Sequence, residues 1–123
     1  MYVDLVSSEN RGKHPEVAIC RLEQLYPFPW SDLKPVLESY PQLEEVVWVQ
    51  EEPENMGAWG FVRPLIEELL DGRLPLCYVG RARSASPSEG TASWHAVNQK
   101  ILVDEAFSPL EQKQKHMVLS KKL

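Results

Sequence analysis

Val46-Val47-Trp48-Val49-Gln50-Glu51-Glu52-Pro53-Glu54-Asn55-Met56-Gly57-Ala58-Trp59-Gly60 is the stretch on which the reading of the fold turns. Four apolar residues in succession, three of them β-branched, form the pattern of a short strand buried on both faces. Two carboxylates and a proline end the run. An Asn-Met-Gly turn then opens a helical pattern in which Val62, Leu65, Ile66, Leu69 and Leu70 share one face. A strand that ends in charged and turn-forming residues before a helix is where open α/β sheets place a ligand or partner surface.

The flanking sequence repeats the alternation of helix and strand. Before the central strand, Ser31 or Asp32 caps a helix with Pro35 near its first turn, and Leu33, Val36, Leu37 and Tyr40 fall at i, i+3, i+4 and i+7. Pro41 ends it. After the central helix, Asp71-Gly72 is a stop signal, and Leu76-Cys77-Tyr78-Val79 reads as another strand closed by Gly80. Pro64 inside the central helical pattern predicts a kink or marks the helix's first turn. Arg81 to Gly90 has the composition of a loop, and Thr91 or Ser93 caps a last helix carrying Trp94, Val97, Ile101, Leu102 and Phe107. Ser108-Pro109 breaks that helix, and residues 108–123 form a polar, basic tail.

Toward the N-terminus, Val17-Ala18-Ile19-Cys20 reads as a strand continued through Arg21–Leu25, and Tyr26-Pro27-Phe28-Pro29-Trp30 as a stiff extended connector. Residues 2–10 start as an amphipathic helix with no strand candidate before it. An α/β domain normally opens with a strand, because its first helix needs a sheet to cover. The expectation is an atypical fold or a first strand lying upstream.

Composition narrows the function classes. The 123 residues are 43% hydrophobic and 25% charged, with a net charge of −5, which suits a single globular domain and argues against a nucleic-acid partner. No apolar run approaches the ~20 residues needed to span a bilayer, so no membrane is expected. The first residues lack the regions of a signal peptide. Cys20 and Cys77 both stand in apolar contexts and read as buried free thiols, in keeping with a reducing compartment. Two cysteines and three histidines show no metal-ligand spacing.

The sequence also lacks the usual chemical motifs. No Gly-x-Gly-x-x-Gly, phosphate loop, Gly-x-Ser-x-Gly elbow or His-Glu-x-x-His pair occurs. Glu51 and Glu52 are adjacent, so an extended chain points them to opposite sides, which makes a poor acid–base pair. Their expected role is structural, capping a helix or pairing with Arg81 or Arg83. His95, at the start of the last helix, reads as a surface or capping residue. Residue by residue, this is an α/β domain with a polar loop cluster at one sheet edge and no self-sufficient active site.

Longer motifs carry a resemblance. Val17-Ala18-Ile19-Cys20-Arg21-Leu22-Glu23-Gln24-Leu25-Tyr26-Pro27-Phe28-Pro29 resembles a signature of the 2-oxoglutarate dehydrogenase family, the thiamine-diphosphate-dependent first component of that complex. Val47–Pro53, Asn55–Trp59, Val62-Arg63-Pro64, Tyr78–Arg81 and Ser84-Ala85-Ser86-Pro87 with Gly90 and His95 continue it in order, from about Tyr2 to Phe107.

The resemblance implies the C-terminal domain of that enzyme: a three-layer α/β/α open sheet of the transketolase C-terminal type over residues 1–107, lacking its first strand. In the family, the segment equivalent to Tyr2–Leu5 follows a strand ending in a Ser-Gly-Lys-Val-like turn. Thiamine diphosphate and Mg²⁺ are held by upstream motifs absent here, so no cofactor and no catalytic residue is expected in this chain alone. The implied partners are the upstream domains, the homodimer partner and the succinyltransferase core. The implied location is the bacterial cytoplasm, or the mitochondrial matrix if eukaryotic. Candidate interface or effector residues are Gln50, Glu51, Glu52, Asn55, Gly57, Arg81, Ser84, Ser86 and His95.

Ala82-Arg83 replaces a pair of prolines common in the family, and Glu89 a threonine, which weighs against an inherited anion site in that loop. The tail after Phe107 has no counterpart. Two rivals remain at this level. One is the same family acting on 2-oxoadipate or as a non-oxidative 2-oxoglutarate decarboxylase. The other is a free-standing regulatory module that holds an anionic effector with Arg81, Arg83 and the serine loop.

Overall fold

A computed structural model describes residues 1–81 and 92–108 of the chain. In order, the elements are α1 (Tyr2–Ser7), α2 (Asn10–Lys13), α3 (Trp30–Glu38), β1 (Val46–Pro53), α4 (Trp59–Leu70), β2 (Leu76–Arg81) and α5 (Ala92–Ala106). β1 and β2 form a two-stranded parallel sheet in which Val46 to Val49 lie opposite Leu76 to Val79. Between Val49 and Pro53 the register shifts, and Pro53 pairs with Arg81.

Strand alternation sorts the core into two clusters. Val47, Val49 and buried Val79 face Leu5 of α1 and Leu102, Val103 and Ala106 of α5, with Phe107 just beyond it. Val46, Trp48 and buried Tyr78 face Trp59, Val62, Ile66 and Leu70 of α4, together with Phe28 and the half-buried Leu33 and Leu37 of α3. The sheet is therefore sandwiched, and α4 buries Val62, Ile66 and Leu70 of its expected face, whereas Val36 and Tyr40 of the stripe expected of α3 and Val97 and Ile101 of that expected of α5 are exposed. At the end of α4, Asp71 takes the left-handed conformation (φ 51°) and Gly72 follows at φ 71°. The Asp71 N–H donates to the Glu67 carbonyl at 3.0 Å, so this stop behaves as the sequence indicates.

Several boundaries differ from the sequence reading. The first helical segment is two short helices separated at Ser8 and Glu9. α3 begins at Trp30 rather than after a Ser31 or Asp32 cap, and the Pro29 carbonyl accepts the Asp32 and Leu33 N–H groups at 3.2 and 2.9 Å. Pro35 consequently sits inside the helix, as Pro64 does in α4. α4 starts at Trp59, later than the Met56–Gly57 start expected.

The larger correction concerns Val17–Cys20. This segment is not a strand: it forms no ladder with β1 or β2. Its alternation is real, since Val17 and Ile19 pack against the α1–α5 cluster while Ala18 and Cys20 are exposed. What it lacks is a backbone partner. Cys20 is accordingly an exposed thiol, and only Cys77 is buried.

Candidate functional site

The β1–α4 corner is built around one buried amide. Gln50 ends the apolar run of β1 and is 5% exposed, so both ends of its side chain need partners. Oε1 accepts the Trp48 indole N–H at 2.9 Å and the Trp59 backbone N–H at 3.1 Å. Nε2 lies 3.1 Å from the Glu52 carbonyl, 3.1 Å from the Pro53 carbonyl and 2.9 Å from the Met56 carbonyl. Its two N–H bonds are shared among those three oxygens. The surroundings fix the amide's orientation, because the reverse would set a carbonyl against three carbonyls and an NH₂ against two donors.

One side chain thus ties the end of β1, the connecting loop and the first residue of α4. The Trp59 N–H is among the donors that a helix start leaves unpaired. Gln50 satisfies it from a neighbouring strand, and no side chain in the loop caps α4. Gly57, at φ 65°, makes the turn, and a Cβ there would stand 3.0 Å from Glu52 Cβ.

A second tie comes from β2. The Tyr78 hydroxyl donates toward the Arg81 carbonyl at 3.0 Å and the Glu52 carbonyl at 3.2 Å. The Glu54 N–H donates to the same Arg81 carbonyl at 2.9 Å. Burial, reinforced by the charges of Glu54 and Glu52, pushes the Tyr78 hydroxyl well above its ordinary range, so it stays a proton donor across the working pH range. Gly80 makes room for this ring, since a Cβ on it would overlap the Tyr78 hydroxyl oxygen.

The two carboxylates separate as the sequence implies. Glu51 accepts the Met1 ammonium at 2.7 Å and the Gln99 amide at 3.0 Å. The ammonium contact chiefly holds the Glu51 carboxyl below its usual range, against an opposing desolvation effect. Glu52 is exposed on the other side, beside Asn55 and Gly57. Arg81 reaches His95, Nη2 to Nδ1 at 3.4 Å, and so joins β2 to α5. Ser84 and Ser86, with Arg83, lie outside the described residues. The structure therefore brings Gln50, Glu51, Glu52, Asn55 and Gly57 into one corner and places Arg81 and His95 together at the end of β2. Sequence reasoning missed Trp48, Tyr78, Trp59 and Gly80 as parts of the corner. Val46 to Val49 are only half-buried, unlike the strand buried on both faces that the sequence suggests, and a glutamine ending this apolar run was the one available signal of a hub.

The corner is chemically a scaffold, with backbone carbonyls and amides consumed internally. Among the described residues, no group of three or more His, Cys, Asp or Glu side chains could hold a metal ion, and no helix is long and apolar enough to cross a membrane.

Residues 1–107 match the family described as 2-oxoglutarate dehydrogenase C-terminal. The chain belongs to this family. Its similarity to curated 2-oxoglutarate dehydrogenase C-terminal sequences is high along most of its length. It is 50% identical over 92 residues to the 2-oxoglutarate dehydrogenase E1 component of Shouchella clausii, covering 75% of this chain and 10% of that protein. It is 42% identical over 112 residues to the protein of that name from Exiguobacterium sp. strain AT1b, covering 88% of this chain and 12% of the relative. For the Bacillus cereus strain AH187 protein the figures are 40% over 111 residues, 87% and 12%. The chain spans about a tenth of the length of the curated relatives it matches. The 2-oxoglutarate dehydrogenase C-terminal family therefore provides the frame in which the corner is to be understood.

Proposed function

We propose that this chain is the C-terminal assembly and regulatory domain of a 2-oxoglutarate dehydrogenase first component, of the transketolase C-terminal type, with no catalysis of its own. The observation that carries the reading is a corner tied by the Gln50 and Tyr78 hydrogen bonds, beside uncovered aromatic surface. Phe61, on the first turn of α4, is 46% exposed, and Tyr26 in the aromatic connector is 85% exposed, while Trp59 and Phe28 between them are buried. Large apolar side chains left in water next to a fixed backbone mark a surface made to be covered. Glu52 and Asn55 supply the polar rim such an interface needs.

In this reading the upstream domains of the enzyme and its dimer partner cover Phe61 and Tyr26. They also hold thiamine diphosphate and Mg²⁺, and the assembled enzyme decarboxylates 2-oxoglutarate and passes the succinyl group to the lipoyl arm of the succinyltransferase core. The chain's own residues position the corner and exclude water from the contact. The purified chain, incubated with 2-oxoglutarate, thiamine diphosphate and Mg²⁺, should release no carbon dioxide above background. Appreciable turnover would contradict the proposal.

A further inference from the structure

We draw no further inference here: the strongest candidate, the exposed apolar pair Val97 and Ile101 on the outward face of α5, is a surface patch, and nothing in the structure shows what covers it.

Discussion

The β1–α4 corner and the Val17–Leu25 segment look equally strand-like in sequence, yet the chain treats them differently. At the corner, the Gln50 side chain bonds Trp48, Glu52, Pro53, Met56 and Trp59, two to nine positions away. These partners are carried in the same stretch of sequence, so most of the geometry is set locally. The Val17 segment has alternating residues of the right kind, but its backbone needs a neighbouring strand brought from far along the chain. With β1 present and nothing laddered between them, it stays extended beside a groove. Side-chain pattern sets which face of a segment is buried. Backbone partners determine whether that segment is a strand.

The largest effect that would test this contrast is at the hub. Gln50→Leu keeps the size and removes every polar partner, leaving the Trp59 N–H and the loop carbonyls without Gln50. It should destabilise the chain by about 3 kcal/mol in urea unfolding. Trp48 and Trp59 flank the amide and report through their fluorescence. A loss under about 1 kcal/mol would mean that the corner holds without its hub. Gly80→Ala follows, at about 2 kcal/mol, because its methyl group meets the buried Tyr78 hydroxyl and the ring must move. The double variant Gly80→Ala with Tyr78→Phe should recover part of that loss.

On the other side of the comparison, Ile19→Ala should cost only about 1 kcal/mol, well below the range for a fully buried isoleucine. Ile19 is half-buried and stands in a segment without a ladder. A loss of 3 kcal/mol or more would show that the groove wall is as tightly held as the corner.

The smallest effect is electrostatic. The Glu51 carboxyl is held below its ordinary value in the folded chain, so its contribution is present above the unfolded value, about 4.3, and is lost as pH falls through the folded one. The stability difference between the chain and its Glu51→Gln variant should therefore be constant near neutrality and shrink in acid. It should also fall with salt, because Glu51 is partly exposed. A difference that grows in acid would contradict the assignment.

Much of the fold was legible because it is local. The apolar run at Val46, the helical spacing after Gly57 and the Asp71-Gly72 stop all report short-range physics, and β1, α4 and β2 stand where they indicate. Proline positions misled by a few residues, since Pro35 and Pro64 sit inside helices whose packed faces outweigh the lost hydrogen bond. Cys20 read as buried because alternation alone does not say which face of a segment will be covered. At the candidate site, Gln50, Glu51 and Glu52 stood out as polar residues at the end of an apolar run. The part played by Gly80 was not legible, because it depends on where the Tyr78 ring lies two residues earlier.

The most direct test is native-state hydrogen exchange along β1 and into α4 in the isolated chain. The account predicts slow exchange at the Trp48 and Trp59 amides, held by β2 and by Gln50, and exchange at least about a hundredfold faster at Val47 and Val49, whose amides turn away from β2. Uniform protection along the strand would contradict it, because those amides would then be held as well.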